Sequence, residues 1–100
     1  MLTFLPTESR YYIMDAYAVS YDLNEPEQEY TELIDALESY EAHWHELTSF
    51  WLLDTDESHT EIRDNLKQYI DSNDEILVLG LSGSAAASSI NDWDWIEEHV

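Results

Sequence analysis

From Met14 the chain alternates. In AYAVSYDL, Tyr17, Val19, Tyr21 and Leu23 fall on one side of an extended backbone and Ala18, Ser20 and Asp22 on the other, the period of two expected of a strand. Residues 1–13, MLTFLPTESRYYI, have no such period and carry Pro6 and Arg10, so an arm or an extra edge strand is expected there. In NEPEQEYTELIDALESY the period lengthens, and Tyr30, Leu33, Ile34, Leu37 and Tyr40 make one apolar helical stripe. Pro26 suits the first helical turn, and Glu25, Glu27 and Glu29 suit the positive end of the helix dipole.

HWHELTSFWLLDTD reads as a short strand, a tight connection near Thr48 and Ser49, and a stronger strand from Phe50 to Thr55. Ser58 followed by Glu61 forms a capping box, after which Ile62, Leu66, Tyr69 and Ile70 mark a second amphipathic helix. Asp71 to Asp74 is a polar turn, and EILVLGLSG is a continuous apolar run of the kind found in strands covered on both faces. INDWDWIEEHV predicts a short terminal helix anchored by Ile90, Trp93 and Ile96.

The predicted order, strand, helix, strand, strand, helix, strand, gives an α+β chain of the ferredoxin-like βαββαβ type, with an antiparallel sheet and two helices on one face. Its bounds are an N-terminal arm at 1–13, a domain at 14–83 and a tail with a short helix at 84–100. Two helices cover one sheet face, yet the strands at 50–55 and 76–81 are apolar on both. A second copy of the chain, packed sheet to sheet, is the expected cover, and the terminal segment folding over that face is the rival.

Charge narrows the choice of partners. Twenty-three acidic residues stand against three basic ones, a formal net charge of -20. Phosphate backbones are held by Lys and Arg with release of counterions, and Arg10, Arg63 and Lys67 are all this chain offers, so direct nucleic-acid binding at physiological salt is not expected. The acids are interleaved with Leu, Ile and aromatics, which argues for a folded chain with a solvated acidic face and against a disordered acidic tail. There is no cysteine, so thiol chemistry and zinc ribbons are excluded. No apolar run approaches a membrane span, and no signal-peptide pattern opens the chain; the expected location is the cytoplasm.

SYDLN at the end of the first strand, the stripe YTELIDAL, and then WHELTSFWLL, IRDNL and IDSNDEILVLGLSG resemble the small SinR-like and Cas-two-like proteins related to the CRISPR adaptation nuclease. The resemblance runs from about Ala16 to Gly83. It implies a ferredoxin-like homodimer in which Asp22, matching the family's Asp at the end of the first strand, sits near its symmetry mate and holds a divalent cation such as magnesium for phosphodiester cleavage. The near absence of Lys and Arg departs from the nucleic-acid binders of that family.

Each candidate residue also has a plainer reading. Asp22 is a catalytic and metal-binding candidate, or a residue that closes a strand and opens a turn. His43 and His45, two apart on a strand, share a face and could hold a metal with Glu46 or with a dimer mate, or simply occupy an exposed strand. Arg63 and Lys67, one helical turn apart, offer an anion site or ion pairs with Asp64 and Asp71. Trp44, Trp51 and Trp93 suit a core, whereas Trp95, out of phase with Ile90, Trp93 and Ile96, is the one expected to be exposed and to meet a partner.

Three explanations of the acidity follow. The surface is adapted to multimolar salt, where the Debye length falls to about 3 Å. Alternatively, the carboxylates imitate the phosphates of a duplex and occupy the basic channel of a nuclease, restriction enzyme or CRISPR effector. In the third, the chain is a nuclease relative that keeps the dimer and has lost the activity. Acids in the arm, both helices, the turns and the tail favour a general surface property.

Overall fold

The computed structural model describes residues 15–24 and 30–100. The expected N-terminal arm at 1–13 and the first-turn roles of Glu25, Pro26, Glu27 and Glu29 lie outside the described residues. What is described is an α+β arrangement: β1 (Asp15–Asp22), α1 (Thr31–Glu38), β2 (Ala42–Leu47), β3 (Phe50–Thr55), α2 (His59–Lys67), β4 (Glu75–Gly80) and α3 (Trp93–His99). The four strands form one antiparallel sheet in the order β2-β3-β1-β4. Val19 is the centre of the register, opposite Trp51 on one side and Val78 on the other. β1 and β2 therefore run in the same direction with β3 between them, and α1 links them; α2 links β3 and β4 across β1 in the same way.

The alternation in β1 places its odd-numbered residues against the helices. Tyr17, Val19, Trp51 and Leu53 from the sheet meet Leu33 and Leu37 of α1 and Ile62 and Leu66 of α2, and most of these side chains are fully buried. Each contributes on the order of 1.5–3 kcal/mol by leaving water. The expected capping box is present at α2: Ser58 Oγ accepts from the Glu61 amide at 3.1 Å, and the Ser58 amide donates to Glu61 Oε1 at 2.8 Å. α1 starts at Tyr30 without a side-chain cap and is held by its stripe, Tyr30, Leu33, Leu37 and Tyr40, all buried.

On the opposite face, Ala18, Trp44 and Leu52 form a second buried cluster with Ile96 of α3, and Phe50, Leu81, Ile90, Trp93, Trp95 and Val100 pack around it. The terminal segment thus occupies much of the face on which a second copy was expected. β4 differs from its reading as a strand covered on both sides. It lies at the sheet edge among the described residues, and the terminal cluster gathers over β1, β2 and β3, which leaves Leu77 55% and Leu79 49% exposed. A continuous apolar run reports high hydrophobicity and carries no information on where in the sheet the strand will sit.

Candidate functional site

Asp22 is the last residue of β1, exposed, and directly opposite Glu75 of β4. Opposed residues of an antiparallel pair hold their Cβ atoms about 5 Å apart, and like charges in that position repel. Ser20, Tyr21, Ile76 and Leu77 complete a shallow depression of about 220 Å³ around the two carboxylates. Magnesium keeps several waters and is held through one or two carboxylates together with substrate phosphates; no group of three or more His, Cys, Asp or Glu that could hold a metal ion is found among the described residues. The site implied for magnesium joins Asp22 to its symmetry mate, and within one chain only Glu75 is set directly opposite it.

Each histidine of the pair is bonded to a backbone carbonyl through one ring nitrogen. His43 Nδ1 lies 2.8 Å from the Tyr40 carbonyl and His45 Nε2 lies 3.1 Å from the Thr48 carbonyl; a carbonyl only accepts, so each of these nitrogens carries the proton and donates. The His45 ring is stacked on Trp51 with centroids 3.8 Å apart, and the His43 ring is tilted against the same indole at 5.8 Å. Glu46 takes no part with them, because its carboxylate accepts from the Asn91 amide at 2.9 Å. Both rings therefore pack beside Trp51; His45 ties the β2–β3 hairpin through Thr48, and His43 ties the start of β2 to the end of α1 through Tyr40.

Arg63 donates from Nε and Nη2 to Asp64 Oδ1 at 3.0 and 2.8 Å, an exposed pair of small energetic weight. Lys67 makes no ion pair among the described residues. Both cations line an open groove of about 580 Å³ with Ile70, Asp71, Asp74 and Glu75, and the carboxylates on the same walls oppose an anion there.

Two polar devices were not anticipated. Asp74, read as part of a polar turn, gathers three parts of the chain: Oδ1 accepts from the Asn24 amide at 2.6 Å and the Tyr30 hydroxyl at 3.2 Å, and Oδ2 accepts from the Asp71 amide at 2.8 Å. These donors, the Asn24 amide foremost, hold its carboxyl below the usual carboxylate range. The second device is the clasp of the tail. His99 Nδ1 lies 2.6 Å from Asp54 Oδ2 on β3, and Trp95 stacks on the His99 ring at 4.2 Å. Trp95 is accordingly half-buried. Beneath the tail, Trp44 Nε1 and Asp54 Oδ1 are buried without hydrogen-bond partners among the described residues. Both pairings, Asp74 with Asn24 and His99 with Asp54, join residues 45 or more apart.

Tyr40 closes α1 onto α2. Its hydroxyl donates to Glu57 Oε1 at 2.8 Å and accepts from Asn65 Nδ2 at 3.1 Å, and burial pushes it up to about 12.

Most other ionisable side chains point outward. Glu32, Asp35 and Glu38 form an exposed row on α1 at three-residue spacing, and Glu61 and Asp64 of α2 and Asp94, Glu97 and Glu98 of α3 are exposed as well. Among the described residues Arg63–Asp64 is the one ion pair made by a Lys or Arg. No helix is long and apolar enough to cross a membrane among the described residues. A scan of family profiles, a search of curated proteins and a search of solved structures each returned no match to the chain.

Proposed function

We propose that this chain is a ferredoxin-like acidic subunit, akin in architecture to the SinR-like group, that acts through its surface in concentrated salt and not as a nuclease. Sheet order and the two crossing helices support the ferredoxin-like description. The observation that carries the functional reading is the uniform outward display of carboxylates on all three helices beside a single Lys or Arg ion pair among the described residues. In dilute buffer a charge of -20 works against the compact state. In about 1 M salt the Debye length of about 3 Å falls below the roughly 4.5 Å of helical rise between Glu32, Asp35 and Glu38, so even neighbouring acids stop repelling while their hydration remains. The melting temperature in potassium chloride should keep rising beyond about 1 M; a plateau at about 0.2 M, where the Debye length is still about 7 Å, would overturn the reading.

The row on α1 favours a second reading, imitation of a nucleic-acid backbone. Duplex DNA places one charge per roughly 1.7 Å of axis, and regularly spaced carboxylates are what a basic channel would accept in its place. Under this reading a basic nucleic-acid-binding protein captures the chain at low salt and competing duplex DNA releases it. Absence of any capture rejects it. A nuclease role, implied by the family resemblance alone, predicts magnesium-dependent cleavage that disappears in Asp22→Ala; the present proposal expects no cleavage by either form.

A further inference from the structure

In a chain where almost one residue in four is acidic, residues 76–91, ILVLGLSGSAAASSIN, carry no charge at all. The first five belong to β4, an edge strand among the described residues. Edge strands are ordinarily protected by charge, Pro or a bulge, and from Ile76 to Gly80 this one has none of the three.

Its hydrogen-bonding groups can be assigned. The Leu81 amide donates to the Ala16 carbonyl at 3.0 Å, so in the β1–β4 ladder the odd-numbered residues of β4 point their amides and carbonyls at β1. Ile76, Val78 and Gly80 therefore point theirs outward.

We propose that the β4 edge is the docking surface for a second copy of this chain, paired antiparallel about a two-fold axis at Val78. That register sets Ile76 opposite Gly80 of the partner subunit and Val78 opposite Val78 of the partner subunit. All outward groups are used, giving about six hydrogen bonds. Leu77 falls opposite the partner subunit's Leu79, so four half-exposed leucines meet on the face that carries α3. The two Glu75 residues move to opposite ends of the junction, about 20 Å apart at roughly 3.3 Å per residue. Each acidic end, with Asp22, Asp74 and Glu75, then lies beside the uncharged end of the other copy. A basic partner would be drawn to carboxylates, and this strand has been cleared of them; a like-charged copy is the occupant for which that clearance matters.

A junction of one short strand per chain is small against the roughly 1,200–2,000 Å² of a stable interface. Pairing is therefore concentration-dependent, and repulsion between two chains of charge -20 confines it to screened conditions. The surface does not depend on the salt reading of the whole chain, since an edge can pair whether or not the melting temperature climbs past 1 M.

The test is sedimentation equilibrium of the full chain from micromolar to millimolar concentration, in about 0.2 M and about 3 M potassium chloride, with amide exchange on the same samples. Expected is a shift toward twice the 11.7 kDa protomer mass in high salt, with the Ile76, Val78 and Gly80 amides becoming protected. Val78→Pro removes an outward amide, which edge strands tolerate, and Leu77→Glu puts charge into the leucine cluster. Both should stay monomeric while their circular dichroism remains native. Leu47→Glu, equally exposed at 47% but on β2, should dimerise as the parent does. A chain that is monomeric throughout overturns the proposal. So does a dimer that survives Val78→Pro and Leu77→Glu, one that is lost in Leu47→Glu, or one that forms without protecting the three amides, any of which would place the contact elsewhere.

Discussion

Replacing Ile96 by Ala tests whether α3 is a structural part of the sheet or a passenger on it. Ile96 is the one buried residue of that helix, inserted among Ala18, Trp44 and Leu52. A buried Ile→Ala change costs about 2–5 kcal/mol from lost burial and the residual cavity. The seven residues of α3 are too few to stay helical alone, since isolated helices below roughly 12–15 residues are marginal. The cost therefore has an upper limit, reached when the helix detaches and leaves Trp44, now 5% exposed, open to water. Urea denaturation should show a loss of about 2–4 kcal/mol. If the helix detaches, the slope of the transition should also fall, because the native state would already expose apolar surface. Amides of β2 and β3 should exchange faster, while those around Ile62 and Leu66 in α2 remain protected. His99→Ala should weaken the same clasp by about 1–3 kcal/mol, because it leaves Asp54 with neither oxygen paired, and the two changes together should cost less than their sum. A loss below about 1 kcal/mol in Ile96→Ala, with β2 exchange unchanged, would refute the view that the tail seals this face.

Ser58→Ala should lower stability by about 1 kcal/mol through loss of the N-cap of α2, read in the same denaturation experiment, and Ser58→Gly should lower it less. Tyr40 should remain protonated above the ordinary tyrosine range. Its folded value of about 12 exceeds the unfolded value near 10, so the stability it supplies is complete below about pH 10 and is lost toward pH 12, at most roughly 3 kcal/mol; Tyr40→Phe should flatten that part of the alkaline unfolding curve. Asp74 has the opposite sign: its carboxyl is held low, so its contribution is present above about pH 4 and disappears as the pH falls through its folded value. The melting temperature of the parent should therefore fall more steeply with acid than that of Asp74→Asn, and parallel slopes would show that the three donors to Asp74 stabilise nothing.

Local pattern carried much of this architecture. The alternation of Tyr17, Val19 and Tyr21 against Ala18 and Ser20 located β1 and separated its two faces, and the box at Ser58 and Glu61 located the start of α2. These rest on contacts within a few residues and on the period of the backbone. The cover of the second face was legible as a need only: apolar residues on both sides of β3 require a partner, but a twin subunit and the chain's own tail satisfy that requirement equally in one dimension. The clasp of His99 on Asp54 and the gathering of Asn24, Tyr30 and Asp71 around Asp74 join residues far apart in the chain, and no spacing rule points to them. β4 was read as covered on both faces because Ile, Leu and Val in succession resemble a buried strand, and the exposure of Leu77 and Leu79 follows from the tail gathering over the other strands. Of the candidate site, the position of Asp22 at a strand end was legible; its confrontation with Glu75 depended on a register that only pairing defines.

With so few cations, trypsin has only Arg10, Arg63 and Lys67 to cut after, and the last two lie within α2. A protease cleft accepts an extended substrate, so those bonds stay intact until α2 unwinds from the sheet. Fragments ending at Arg63 or Lys67 would thus time the opening of this helix, turning an ordinary digestive enzyme into a clock for one segment of the protein.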